Sequence, residues 1–279
     1  MTPEEWRAGG SYFDWRGHRM FSRIEGSGDP LLVVHGFPTA SWDWWKLWPA
    51  LTAKYRCYAV DMLGYGFSAK PTDAVYSLVR QADLQEALLA RESVTSYRLL
   101  AHDYGVSVAQ ELLARRAPIR GTCLLNGGMF PELHRPVLTQ KLLASPLGPL
   151  VARLSSYRTF AKTMRRIWGK APPPDDEIHA MWDLVTEASG MRVMPKLIGY
   201  IAERKLHRDR WVDALVSAKA PLRFICGLLD PVSGAHMAAR YRELVPNPDV
   251  VELPEVGHYP QVEAPAAAET AVLEFFARC

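Results

Sequence analysis

Long apolar runs are absent. No stretch of the 279-residue chain approaches the roughly 18 continuous apolar residues of a membrane span, so no transmembrane helix is expected. The opening MTPEEWRAGG carries acids and lacks an apolar run, so it does not read as a secretory leader. Cysteine is scarce. Cys57, Cys123, Cys226 and Cys279 are far apart, and three sit in or beside apolar strand-like runs. They read as buried free thiols of a reducing cytosol, so a cytoplasmic location is expected. CxxC and HExxH are missing, which leaves a metal site little support; no metal and no cofactor are expected. An excess of one charge is lacking too. Net charge is +3, with Lys and Arg scattered and no basic stripe, which argues against a nucleic-acid partner. Repeats and low-complexity tails are absent. What is present is 48% apolar and 23% charged residues, the make-up of a globular protein with a sizeable core. The length suits one large domain or one domain with an insertion. Nothing fixes an oligomeric state, and a homodimer is left open.

Short apolar runs alternate with helical patterns. Pro30–Val34, Cys57–Val60, Arg98–Ala101, Thr122–Leu125, Leu222–Cys226 and Val250–Leu253 read as strands. Ser41–Tyr55 (with Ser41 as N-cap), Ser77–Glu92, Val106–Arg116, Ala235–Leu244 and Ala266–Arg278 read as helices. This alternation predicts a parallel sheet covered on both faces, an α/β class. Ser11–Trp15 and Arg19–Ile24, separated by Arg16-Gly17-His18, predict an antiparallel hairpin ahead of it, which makes the sheet mostly parallel and eight-stranded. From Asn126 to Pro221 no strand signal appears, far longer than a crossover needs. A helix starts there at Asp175 or Asp176 after three prolines and stops near Gly190. The reading is a core over 1–128 and 216–279 with a helical cap over 129–215.

Leu99 to Glu111 reads LLAHDYGVSVAQE and holds two overlapping patterns, AHDYG and GVSVA. Each resembles the strand-to-helix turn that exposes a nucleophile. The strand ends at Ala101, so Asp103 stands at the sheet edge, while Ser107 falls a turn later inside the helix. Position favours Asp103; a plain helix N-cap is the competing reading. Three other strands end in candidate groups: His35-Gly36-Phe37-Pro38, Gly227 to Asp230, and Gly257-His258-Tyr259-Pro260. The chain order is nucleophile, acid, histidine. Asp61 is the rival acid, read as a loop-holding residue. Asn126 follows the sixth wound-sheet strand but, as an amide, cannot serve as an acid.

With these residues the sequence resembles the α/β-hydrolases over nearly its whole length, through HGFP, DMLGYGFSAKP, AHDYG, GLLDP and GHYPQVEAP. The aspartate-bearing turn resembles that of epoxide hydrolases and haloalkane dehalogenases. NGGMFPELHRP, QKLL and DPV resemble the branch related to the mesoderm-specific transcript protein. The resemblance implies an α/β-hydrolase fold and a carboxylate nucleophile, Asp103, that alkylates on a small apolar electrophile. His258 would then activate water against the ester, with Asp230 orienting the imidazole. It also implies an oxyanion site from the N–H groups of Phe37 and Tyr104, loop support from His35, and a cis bond before Pro38.

Epoxide opening needs a proton donor, which related enzymes take from cap tyrosines. Tyr200 lies where the second of these would, and Tyr157 is a weaker candidate. Halide release needs indole or amide donors. Tyr104 follows the nucleophile and Phe37 fills the HGxP position, and both departures argue against a dehalogenase. The tryptophans of SWDWWKLW could supply an indole but sit at core-like spacing. An epoxide hydrolase is the leading expectation and a haloalkane dehalogenase the alternative. An idle scaffold that binds a ligand, and a serine esterase using Ser107, complete the set.

Overall fold

The computed structural model describes residues 1–279. The strands are β1 (Ser11–Trp15), β2 (His18–Glu25), β3 (Asp29–Val34), β4 (Tyr55–Val60), β5 (Tyr97–His102), β6 (Ile119–Leu125), β7 (Leu222–Gly227) and β8 (Asp249–Leu253). They form one sheet in the order β1-β2-β4-β3-β5-β6-β7-β8. The β1–β2 hairpin is antiparallel, β2 joins β4 antiparallel, and every other pair is parallel. Chain winding reverses between β3 and β5. Their carboxyl ends therefore diverge at the place where open α/β sheets hold ligands.

Alternation along the central strands builds two cores. Leu32 and Val34 of β3 join Leu99 and Ala101 of β5 on one face, beneath Leu84, Val106 and Tyr241. Leu31, Val33 and Leu100 face the other way, against Leu51, Val272 and Phe276. Every residue of β5 is buried, as a strand covered on both sides requires. The four cysteines are free, and three of them are buried. No helix is long and apolar enough to cross a membrane.

Element boundaries differ from the reading in three places. Ser41–Tyr55 is a 3₁₀ turn (Ser41–Trp44) and a short helix (Trp48–Thr52) rather than one helix. Ser41 caps nothing, because its hydroxyl and its N–H both go to Asp61. The helix beginning at Asp175 ends at Thr186, before Gly190, because Ala188 and Ser189 adopt left-handed backbone angles that no α-helix continues through. Pro3–Ala8 is an additional helix, closed by a Thr2–Glu5 capping box.

Between β6 and β7 every regular element is a helix or a 3₁₀ turn. The last helix, Arg208–Val216, lies against Tyr104–Ala114, the helix that follows β5. There the Trp211 indole donates to Glu111 at 2.7 Å and the Arg210 guanidinium pairs with the same carboxylate.

Gly105 shows why small residues flank the turn after β5. A Cβ there would meet the carbonyl oxygens of Val34 and His35, each at 2.7 Å. Those are backbone atoms of the neighbouring strand and cannot turn aside. Gly105→Ala should therefore push the helix off β3 and lower stability by about 1–3 kcal/mol. A urea midpoint equal to that of the wild type would show that the helix has room the packing denies.

Candidate active site

Asp103 is the first residue after β5 and sits at φ 46°, ψ −105°, a strained conformation for a residue with a side chain. Its N–H is donated to Asn126 O at 2.9 Å, and the helix Tyr104–Ala114 starts at once. The turn projects the carboxylate off the sheet edge. Its Oδ2 accepts the Phe37 N–H at 2.9 Å. Its Oδ1 lies 3.7 Å from His258 Nε2. No hydrogen bond joins the Tyr104 N–H to the carboxylate; as the first helical residue, Tyr104 has no intrahelical acceptor.

Asp230 follows β7 and is buried. Its Oδ2 binds His258 Nδ1 at 2.7 Å. The same carboxylate accepts N–H groups from Val232 and Ser233, the Ser233 hydroxyl, and Nδ2 of Asn126 at 2.9 Å. Asn126, whose Oδ1 accepts the Gly227 N–H at 2.7 Å, thus ties the end of β6 to Asp230. Asp61 instead accepts from Ser41 and from the Phe67 N–H and holds its loop. His35 accepts the Met62 N–H on Nε2 and donates from Nδ1 to Gly36 O, which keeps the HGFP loop in place. The Phe37–Pro38 peptide is cis.

His258 is held from three sides. Its N–H is donated to Ile167 O at 2.9 Å. Its carbonyl accepts His102 Nε2 at 2.7 Å. Glu263 fixes the flanking backbone through the N–H groups of Gly257 and Tyr259, both at 2.8 Å. Burial by itself would lower the His258 pKa. Asp230 first, and Asp103 after it, outweigh that and lift it to about 9. Burial also works against ionisation of Asp103, but the nearby His258 charge and then Arg204 draw its pKa below the usual range. Asp230 is likewise drawn well below it, chiefly by His258. His102 is pushed by burial to about 3 and stays neutral.

Arg204 went unnoticed in the sequence. It is 1% exposed and reaches from helix Tyr200–Leu206 to the turn. It donates from Nε to Ser107 Oγ at 2.7 Å and from Nη2 to Asp103 O at 3.1 Å, and Nη2 lies 4.0 Å from Asp103 Oδ1. Its guanidinium also covers the Tyr200 ring at 4.5 Å. Ser107 is therefore occupied as an acceptor, with no histidine bonded to it. Only the arginine's position in ERKL, four residues after Tyr200, hinted at a shared face. His134 is half-buried with its ring 6.5 Å from that of Tyr200, and burial together with the Arg204 charge lowers its pKa to about 3.

A cavity of about 100 Å³ opens onto Asp103 and His258. Phe37, Pro38 and Val232 wall it from the sheet side. Gln140, Leu143, Phe160, Met164, Trp182 and Met194 are among the walls from the inserted helices. The tryptophans of SWDWWKLW do not line it. Tyr200 is buried beside Tyr104 and Phe37, at ring distances of 5.2 and 5.7 Å. Its hydroxyl accepts Gln140 Nε2 at 3.0 Å, so Gln140 rather than Tyr200 forms the cavity wall. Tyr157 stacks on His179 at 3.7 Å and stays out of the cavity.

The comparisons agree with this architecture. The mesoderm-specific transcript homolog protein of Bos taurus is 40% identical, over 97% of this chain and 86% of that protein. LipZ of Mycobacterium tuberculosis is 41% identical over 96% of each. Two solved structures superpose at TM-score 0.80. The haloalkane dehalogenase DbeA from Bradyrhizobium elkani USDA94 is 24% identical and covers 96% of this chain and 97% of its own. The epoxide hydrolase CorEH is 18% identical and covers 96% of this chain and 98% of its own. Residues 31–271 match the profile of the alpha/beta hydrolase family, and the chain belongs to that family.

Proposed function

We propose that this hydrolase attacks a saturated carbon of a small apolar electrophile with Asp103, and that the electrophile is an epoxide. The observation that carries the reading is the Asp103–His258–Asp230 alignment at the floor of an apolar cavity. A carboxylate needs no base to attack. Oδ2 is occupied by the Phe37 amide, which leaves Oδ1 to form the bond to the ring carbon as the carbon–oxygen bond of the epoxide breaks. The alkoxide takes the proton of the Tyr200 hydroxyl, leaving a phenolate, and an alkyl ester of Asp103 remains. Water then adds to Cγ, His258 Nε2 accepts its proton, and the oxyanion forms at Oδ2 on the Phe37 N–H, joined by that of Tyr104. Collapse breaks the Cγ–Oδ1 bond, the departing oxygen takes the proton held by His258 to give the diol, and the proton left on the new Asp103 carboxyl restores the Tyr200 phenol. His35 and Pro38 shape the loop that presents the Phe37 amide. Location in the cytoplasm and freedom from any cofactor belong to the same reading.

Tyr200 supports epoxide over halide. Burial raises its pKa, with the Asp103 charge adding to the effect, so the phenol stays protonated. Gln140 donates to the hydroxyl and stands between it and the cavity, so the phenol reaches the substrate oxygen when that amide turns aside. Trp182 is the one indole in the cavity wall and supports a haloalkane as the second reading, as do the dehalogenases among the similar proteins. The intact alignment speaks against an idle scaffold, and the occupied Ser107 against a serine esterase.

The division of labour is tested by mass spectrometry of the peptide that holds Asp103. His258→Gln should accumulate an alkyl adduct with a substrate the wild type turns over, while Asp103→Ala should form none. Single turnover in oxygen-18 water should label Asp103, and label found directly in the product would exclude the ester.

His258 is held protonated by two carboxylates, which raises a question of timing. Esterification of Asp103 removes one of the two charges, so the imidazole loses its proton more readily when a base is needed. Asp103→Ala imitates that loss and should lower the His258 pKa from about 9 by about 1 unit or more. Imidazole titration by NMR reads this directly, and an unmoved titration would contradict the charge sharing.

Tyr200→Phe should slow pre-steady-state alkylation by an epoxide by roughly 10²–10⁴-fold, the usual worth of a positioned acid. Halide displacement should barely change, because a halide leaves as a stable anion. An unaltered epoxide rate would remove Tyr200 from the reaction.

A further inference from the structure

Five of the nine exposed large apolar side chains lie within 17 residues of one another, at Leu138, Leu142, Leu147, Leu150 and Leu154. Leu138 and Leu142 are four apart on helix Leu138–Leu143. Leu150 and Leu154 share a face of helix Gly148–Leu154, with Leu147 just before it. Leu154 is 71% exposed and Leu147 61%. An apolar concentration of this kind on a soluble surface marks a docking site.

The charge around it is one-sided. Residues 129–170 hold eight lysines and arginines and one acid, Glu132. The chain as a whole is only +3, so the remainder is net acidic. Arg165 and Lys170 pair with Asp175 and Glu255. Lys141, Arg153, Arg158, Lys162 and Arg166 are exposed and have no carboxylate partner. The inner faces of the same helices wall the cavity, through Thr139, Gln140 and Leu143 on one and Phe160, Thr163 and Met164 on Tyr157–Ile167.

We propose that this outer face docks on the surface of an anionic lipid bilayer. Exposed leucines at successive helical turns, in a segment whose Lys and Arg are exposed and unpaired, are the make-up of helices that lie in a membrane interface, and negative headgroups complement that basic charge. A second copy of the chain is the weaker occupant, since self-docking would set the same positive charge against itself. The apolar cavity then lies one helix layer from the phase into which an apolar electrophile partitions.

The test is co-sedimentation of the full chain with vesicles of phosphatidylcholine alone and with about one-third phosphatidylserine. It is read without turnover, so it stands apart from the assignment of Asp103. The wild type should pellet with the anionic vesicles, pellet less with the neutral ones, and be released as salt shortens the Debye length. Leu147→Ser/Leu150→Ser/Leu154→Ser and Arg153→Glu/Arg158→Glu/Lys162→Glu, all at exposed positions, should each lose about tenfold or more of the partitioning while keeping the wild-type circular dichroism. Absence of vesicle binding by the wild type overturns the proposal, as does equal binding to neutral vesicles or wild-type binding by either variant. A dimer that the leucine variant breaks, in a chain that ignores vesicles, would assign the face to a second copy instead.

Discussion

The backbone of Asp103 is held in a conformation a residue with a side chain avoids, and the rest of the site is arranged about that strain. Such angles cost of order 1–3 kcal/mol and persist only where the surroundings leave no alternative. Here β5 is buried on both faces, Gly105 allows the helix to touch β3, and Asn126 O takes the Asp103 N–H. Arg204 pins the Asp103 carbonyl from the opposite side. Relaxing the turn would swing the carboxylate away from both the Phe37 amide and His258.

Electrostatics within the site form a chain of alternating sign. Arg204 lies by Asp103, Asp103 by His258, and His258 by Asp230. Each buried charge faces an opposite one, which is the condition for keeping ions out of water. Neutral groups surround the chain: burial of His102, and partial burial of His134 beside the Arg204 charge, lower both pKa values, and Tyr200 stays a phenol. Asn126 fits the same logic, since an amide donates to Asp230 without adding a second negative charge beside it.

Much of this was legible in the sequence because it depended on spacing along the chain. The sheet, the turn at Asp103 and the order of Asp230 and His258 follow from strand periodicity and from what ends each strand. Helix Ala235–Leu244 has the expected limits. Contacts across the insertion were not legible. Arg204 is an unremarkable basic residue until the helix carrying it folds back onto the turn, about a hundred residues away. Asn126 looked like a mere absence of an acid. The basic residues are scattered over the chain as a whole, and the fold adds that Lys141, Arg153, Arg158, Lys162 and Arg166 are exposed without a carboxylate partner. The stop after Thr186 escaped notice because Ala188 and Ser189 are not residues that announce left-handed angles.

The histidine loop and the inserted helices share a seam. The His258 N–H ends on Ile167 O, and Glu263 accepts the Gly169 N–H as well as that of Gly257. Ile167 and Gly169 therefore cannot lift without dragging the imidazole out of line. The edge of the roof near residue 167 is tied to the histidine loop, whereas the leucine-bearing helix Leu138–Leu143 reaches Tyr200 through Gln140 and makes no hydrogen bond to Asp103, Asp230 or His258. A molecule entering by displacing the roof would pass on the leucine side and leave the base in register. The alignment of His258 with Asp103 and Asp230 is thereby bonded to the inserted helices, on its histidine side, along one edge at residues 167–169.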